Sequence, residues 1–164
     1  MTSIIKVDTI QTSAGGTPTA SSLGIDLGNV GKIGQVVSNE FTSYASTSSS
    51  SFTQIGPSVA ITPTATSSKI LINIAGGAMY TATDKKIDMT IYRDSSNLGN
   101  TNGMMAHFAN SSYLQGAISL TILDSPNTTS STTYALYVKT PTGSAVDIQS
   151  ANYKSVITAM EVLA

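Results

Sequence analysis

The sequence predicts an all-β protein: an antiparallel β-sandwich of jelly-roll type with an extended N-terminal arm. Three observations predict this fold. Apolar residues recur at every second position in most segments, and no segment keeps a helical period over three turns. Ser and Thr are abundant, whereas Glu40 and Glu161 are the only glutamates, a composition that disfavours helices. Clusters of Gly, Asn, Ser and Pro separate the alternating segments at the short spacing of a sandwich.

From residue 33 onward, alternating segments predict strands that bury one face. They cover residues 33–44, 52–61, 69–80, 86–94, 117–124, 133–140 and 156–163. A series of about eight strands at this spacing predicts an antiparallel sandwich, most simply a jelly roll. The positions expected to face the core include Ile70, Ile72, Ile74, Ile87, Met89, Ile91, Ile118, Leu120, Ile122, Tyr134, Leu136 and Val138.

Glycine and proline add local detail to this pattern. Gly56-Pro57 interrupts its strand, and because proline cannot donate to a ladder, we expect that strand at a sheet edge. Gly76-Gly77 lies inside a strongly apolar strand, which indicates a bulge or a close approach of another backbone. The hydroxyl-rich residues 46–51 are expected to form a loop.

Residues 1–33 differ from the rest and are expected to form a separate arm with a hinge, whereas residues 34–164 form the sandwich domain. Ser3–Gln11 has the composition of a strand, and a segment rich in Ser, Thr, Gly and Pro follows it. The arm has too little apolar surface for a core, so we expect it to become ordered on a partner around a hinge near Gly15-Gly16. A disordered tail is the alternative.

Composition and charge exclude several classes of protein. Eight basic and nine acidic residues are scattered without a cationic cluster, so we expect no nucleic-acid binding. The absence of Cys excludes disulfides and thiolate metal sites. The longest apolar stretch, Ile70–Tyr80, is too short for membrane insertion, and residues 1–6 do not resemble a secretory signal peptide, so we expect synthesis in a cytoplasm.

Charged residues make up only 10% of the chain, which is low for a soluble monomer. The strand at Ile70–Ala75 also carries apolar residues on both faces. A face of that kind can pack on a second subunit, so we expect an oligomer.

No residue pattern predicts catalysis, a metal site or a cofactor, and we expect no enzyme. His107 is the single histidine and has no neighbouring nucleophile, so a half-buried structural role is expected. Asp84, Asp88 and Asp94 match no calcium loop and adjoin Lys85-Lys86. The seven tyrosines could form an amphipathic surface for sugars or proteins, or could be half-buried strand residues.

Several short segments in order carry a resemblance to a known group of proteins. They are Ile5–Gln11, Thr47–Thr53, Ile61–Pro63, Ser67–Ile72, Ile91–Asp94 with Leu98-Gly99, Leu123–Pro126 and Met160-Glu161. This ordered set resembles small virion proteins of tailed bacteriophages, of the tail-fibre-tip and head-decoration type, especially marine and cyanobacterial ones.

The resemblance implies a homotrimeric sandwich on the outside of a virion that is made in the host cytoplasm. The implied function is a short tail-fibre-type appendage, with room for contact with the host surface. A capsid decoration (cement) protein on the phage head is the alternative, because both share the fold. A cellular carbohydrate-binding module or enzyme is a third reading that stays open.

Two groups of residues follow as candidate contacts. The arm residues Ile5, Val7 and Ile10 are expected to anchor the protein to other virion proteins. The loops 94–102 and 125–131 are expected at an end of the sandwich, where amides and hydroxyls could bind host glycans. The residues singled out there are Asn97, Asn100, Asn102, Asn127 and Thr128, and the alternative is that both loops are simple turns.

Overall fold

The computed structural model describes residues 32–82, 85–110, 114–149 and 152–163, which belong to one compact unit. The described residues form eleven strands and no helix. The strands are β1 (Lys32–Phe41), β2 (Ala45–Thr47), β3 (Thr53–Ile61), β4 (Lys69–Thr81), β5 (Lys85–Arg93), β6 (Ser96–Asn97), β7 (Met105–Ala109), β8 (Leu114–Asp124), β9 (Thr132–Lys139), β10 (Val146–Gln149) and β11 (Ser155–Leu163).

Two antiparallel sheets pack face to face. The first sheet has the order β1-β11-β4-β8, and the short strands β10 and β2 extend it beside the far half of β4. The second sheet has the order β3-β9-β5, with β6 and β7 along the free side of β5.

The eight longer strands pair in nested order: β1 with β11, β3 with β9, β4 with β8, and β5 with β7. A long hairpin that is rolled up gives this connectivity, which is that of a jelly roll. The predicted all-β sandwich is therefore confirmed.

Alternation along the long strands builds the core between the sheets. The inward side chains of β4, β5 and β9 are almost completely buried, because each strand places every second residue on the same face. The buried residues include Ile70, Ile72, Ile74, Ile87, Met89, Ile91, Ile118, Leu120, Tyr134, Leu136 and Val138, as predicted, while Ile122 is partly buried against this cluster.

The Gly76-Gly77 pair forms a bulge in β4 and meets another segment of backbone. Both residues have positive φ, 93° and 72°, and the register with β8 shifts between Gly76 and Met79. The Gly77 N–H donates to the Lys154 carbonyl at 2.7 Å. A Cβ on Gly76 would lie 2.5 Å from the same carbonyl oxygen, so the predicted bulge and the predicted close approach both occur.

The strand with Gly56-Pro57 is an edge strand, as predicted, because β3 ends the second sheet. Its register with β9 shifts between Gln54 and Ser58, and Gly56 has φ 98°. The short strands β2, β6, β7 and β10, which have two to five residues each, were not predicted from the sequence. Alternation cannot identify a strand that short.

Most of the predicted arm lies outside the described residues, including the strand at Ser3–Gln11 and the contacts Ile5, Val7 and Ile10. The structure shows only its last two residues. Lys32 and Ile33 pair with Leu163 and Val162, so the first sheet begins two residues before the predicted boundary.

Candidate functional site

One end of the sandwich holds an ionic cluster that joins the two sheets. Arg93 ends β5 in the second sheet, and Asp124 ends β8 in the first. The Arg93 Nη1 donates to both carboxylate oxygens of Asp124, each at 2.9 Å, and to the Ser125 carbonyl at 3.3 Å. The Tyr134 hydroxyl, from β9, donates to the Asp124 Oδ2 at 2.7 Å. Three strands are thus connected through one carboxylate.

The electrostatics of this cluster favour a fixed structure over chemistry. Tyr134 is completely buried. Burial raises the pKa of Tyr134, and its hydrogen bond to Asp124 raises that pKa further, so the hydroxyl stays a proton donor. Asp124 uses both oxygens to accept from Arg93 and Tyr134. The cluster can therefore orient the chain that follows each strand, and it presents no free nucleophile or base.

Of the two predicted recognition loops, loop 94–102 begins beside this cluster, and loop 125–131 begins and ends beside it. The Asp94 N–H donates to the Thr133 carbonyl at 2.7 Å, and the Thr133 N–H donates to the Asp94 Oδ1 at 2.9 Å. This reciprocal pair joins the start of loop 94–102 to the end of loop 125–131. Asp94 and Asn127 both have left-handed φ values, 51° and 54°, which Asp and Asn tolerate better than most residues.

Asn97 uses its side chain within its own segment. Its Oδ1 accepts from the Thr90 hydroxyl at 2.7 Å and from the Gly99 N–H at 2.9 Å. Its Nδ2 donates to the Asn100 carbonyl at 3.1 Å. Asn97 therefore folds residues 98–104 back along β5 and has little capacity left for a ligand.

The other four candidate residues lie in two separate places. Asn100 and Asn102 are exposed in a turn beside the middle of β5, where the Leu98 and Met104 N–H groups bond to β5 carbonyls. Asn127 is exposed beyond the end of β8, and the Thr128 Oγ1 accepts from the Ser130 N–H at 3.0 Å. The structure thus joins the loops at their bases and does not gather their amides into one cluster.

Three aromatic residues cluster on the outer face of the second sheet. The rings of Tyr92 and Tyr137 are stacked with centroids 3.9 Å apart, and Phe52 lies 6.1 Å from Tyr92. The Lys139 ammonium sits 4.5 Å above the Phe52 ring and donates to the Thr101 carbonyl at 2.9 Å. Tyr92 and Tyr137 each cover one face of the other ring, and Lys139 lies over the Phe52 ring, which reduces the flat surface available for a sugar.

Beside this cluster, Asp88 is a fully buried carboxylate. Its Oδ1 lies 2.8 Å from the Lys86 Nζ, and its Oδ2 lies 4.0 Å from the Lys139 Nζ. Two lysines therefore compensate one buried acid. No group of three or more side chains suited to a metal ion occurs among the described residues.

His107 lies on β7 opposite Ile87, so it points between the sheets. A Cβ on Gly116 would meet its ring at 3.3 Å, and the histidine is half-buried against that glycine. The ring fills the space where β7 passes β8, which agrees with the structural role expected from the sequence.

An apolar patch occupies the outer face of the first sheet. One row of paired residues crosses all four long strands, and it is apolar throughout. Of these, Val36 is 56% exposed and Leu123 is 51% exposed. The neighbouring row is polar and uncharged: Ser38, Thr158, Asn73 and Thr121. The apolar patch consists of the row Val36, Met160, Leu71 and Leu123 together with Ile33 and Val162.

Glu161 lies beneath this patch, completely buried on the inner side of β11. Its Oε1 accepts from the Thr64 N–H at 2.6 Å and the Thr64 hydroxyl at 2.7 Å, and its Oε2 accepts from the Gln35 amide at 2.7 Å. Burial raises the pKa of Glu161, but hydrogen bonds from Gln35 and Thr64 outweigh burial and lower the pKa to about 2. The carboxylate holds β1 and the loop after β3 against β11.

The Asp124 and Glu161 clusters were not predicted from the sequence. The sequence does contain a hint of each cluster. Arg93 is the single arginine, and Glu161 falls on the same face of its strand as the core residues Ile157 and Ala159, because every second residue shares a face. Comparison with known proteins adds no relative, because no protein-family model and no curated protein matches the sequence. No helix among the described residues is long and apolar enough to cross a membrane.

Proposed function

We propose that the protein is a non-enzymatic structural protein of a bacteriophage particle, a short trimeric appendage of tail-fibre type. The observation that carries the proposal is the apolar patch on the outer face of a jelly roll that has few charges. The order of short segments that resemble phage virion proteins supports the same class.

The patch supports an oligomer because contiguous apolar surface is unusual on a soluble monomer. Burial of each half-exposed aliphatic side chain contributes about 1 kcal/mol. Association of subunits costs at least about 4 kcal/mol of free energy in lost translational and rotational freedom. The apolar patch therefore needs contacts from the neighbouring polar row to form a stable interface. The uncharged Ser38, Thr158, Asn73 and Thr121 can form hydrogen bonds across such an interface without like-charge repulsion.

In this proposal the arm residues Ile5, Val7 and Ile10 attach the trimer to other virion proteins. The exposed amides of Asn100, Asn102 and Asn127, with the Thr128 hydroxyl, are the contacts offered to a host glycan. Asn97 supports them by fixing the turn that carries Asn100. A position on the phage head would instead make the protein a decoration protein.

The trimer is tested by changing the centre of the patch. We expect wild-type protein at micromolar concentration to sediment as a multiple of three copies. Val36→Glu should lose the three-fold association, because the interface would bury a carboxylate without a partner. The control is Gln54→Glu, which places the same charge on the exposed edge strand β3. Wild-type protein of one or two copies would contradict the trimer.

The phage role is tested by locating the protein in particles. A labelled antibody against the sandwich domain should bind purified virions, and electron microscopy should place the label on the tail. Label on the head would support the decoration alternative. Virions that carry no label would contradict both.

A further inference from the structure

The free edges of the two sheets are not equally protected. An edge strand with unpaired N–H and C=O groups can pair with another strand, and proteins usually prevent this with bulges, prolines, charges or short length. Among the described residues, the strands that end the sheets are β1, β2, β3, β6, β7 and β8.

Every one of these edges except β8 has such protection. The register of β1 shifts between Ile33 and Val36, and the strand carries Lys32 and Glu40. β3 contains the Gly56-Pro57 irregularity. β2, β6 and β7 have three, two and five residues, too few for extended pairing.

β8 is long, regular and uncharged along its length. It has eleven residues, no proline and no charged residue before Asp124, which Arg93 pairs within the same chain. The extra residue of the bulge in the β4–β8 ladder belongs to β4. Gly76 and Met79 are three residues apart in β4, whereas their partners Ile118 and Gly116 are two residues apart in β8. β8 therefore presents a straight edge with no feature that prevents pairing.

We propose that β8 pairs antiparallel with β8 of a second copy around a two-fold axis. A second copy fits because the edge is uncharged, so two identical edges meet without like-charge repulsion. In the paired strands, each residue that faces the core must lie opposite a residue of the second copy that also faces the core. Because inward and outward residues alternate along β8, the two-fold axis must pass through a residue position and not between two residues. Pairing of all eleven residues centres the axis on Ser119.

This register joins suitable side chains on both faces. On the exposed face Ser119 meets its own copy, Ala117 meets Thr121, and Gln115 meets Leu123. On the inner face Ile118 meets Leu120, which extends each core toward the other, and Gly116 meets Ile122. Asp124 faces Leu114, so no two charges oppose one another.

The pairing goes beyond the proposed function and does not depend on it. The axis lies at one edge of the first sheet, whereas the trimer contact was assigned to its face. A two-fold contact alone gives dimers, and a two-fold contact between trimers gives six copies. Loss of the β8 contact should halve the mass in either case.

A cysteine at the axis provides the first test. The chain has no Cys, so Ser119→Cys creates a single thiol. Directly opposed residues of an antiparallel pair have Cα atoms about 4.5–5.5 Å apart, within the range of a disulfide. We expect mild oxidation to convert most Ser119→Cys protein into a covalent dimer. Gln54→Cys, at an exposed position on the edge strand β3, should remain uncrosslinked.

A charge at the axis provides the second test, and it leaves the inward face of β8 unchanged. Ser119→Lys places two ammonium groups opposite each other, so we expect the mass in sedimentation to fall two-fold. Gln54→Lys, on the exposed edge strand β3 and outside the apolar patch, should keep the wild-type mass, and circular dichroism should show the same β content for both variants. An unchanged mass for Ser119→Lys, or the absence of a covalent dimer for Ser119→Cys, would overturn the proposal.

Discussion

Glu161 and Asp124 each accept hydrogen bonds from residues of other elements. Glu161 is bound by Gln35 and Thr64, and Asp124 is bound by Arg93 and Tyr134. A buried carboxylate is costly without partners and stabilising when donors surround it. These two residues therefore connect elements that the hydrophobic core alone would hold less specifically.

The low pKa of Glu161 predicts acid sensitivity. Its folded pKa of about 2 lies below the ordinary value of 4.5, so its stabilisation is present above pH 4.5 and is lost as pH falls toward 2. Glu161→Gln should lower the free energy of unfolding at pH 7 by about 1–3 kcal/mol, because its amide would face donors. Urea unfolding at pH 7 and pH 3 should show a smaller difference for the variant than for wild type.

The other glutamate serves as the matched control for this prediction. Glu40 is exposed and pairs with Lys154 at 2.8 Å. Because exposed ion pairs contribute little, Glu40→Gln should change stability by at most about 1 kcal/mol and keep the wild-type acid dependence. Equal acid sensitivity in wild type and Glu161→Gln would contradict the role of Glu161.

At the scale of single strands, alternation identified the long elements and their inward faces. The partners of Glu161 and Asp124 could not be predicted, because they depend on which strands the topology brings together. Short strands such as β7 and β10 lacked enough residues for alternation, and they formed because long neighbours offered a free edge. Asn97 was assigned to a loop, whereas its amide is used by the turn that it forms.

The β4 bulge predicts a large effect for a small substitution. Gly76→Ala combines a positive φ with a Cβ that would lie 2.5 Å from the Lys154 carbonyl oxygen. The backbone strain alone costs about 1–3 kcal/mol, and the clash adds to it. Gly143→Ala is the control, since φ is also positive at 68° but no atom lies within 4 Å. Thermal unfolding should show a clearly lower midpoint for Gly76→Ala, and equal midpoints would contradict the close contact.

At the scale of the whole molecule, the described residues build a hydrophobic core between the two sheets of the jelly roll. β1 begins at Lys32, and the buried cluster is built from residues of the sandwich. The choice between the two proposed positions, phage tail and phage head, could not be predicted from the sequence, because it depends on partner surfaces and not on this fold.

Deletion of residues 1–31 tests this division of the chain. We expect the remaining protein to be soluble, rich in β structure and cooperative in thermal unfolding, because it keeps every pair of the described sheets. In a phage that carries the deletion, we expect the protein to be missing from particles. A truncated chain that is unfolded by circular dichroism would show that the arm contributes to the core.

The pairing of β1 with β11 has a consequence for how the chain folds. β1 cannot complete its ladder until β11 has left the ribosome, so the first sheet closes only after both strands and all the residues between them have been translated. Contacts between such distant segments slow folding to about milliseconds to seconds. Until β11 docks, the apolar strand β4 lacks the neighbour that covers this edge of it. Synthesis at high local concentration would therefore favour pairing between nascent chains, and assembly would compete with misassembly from the start.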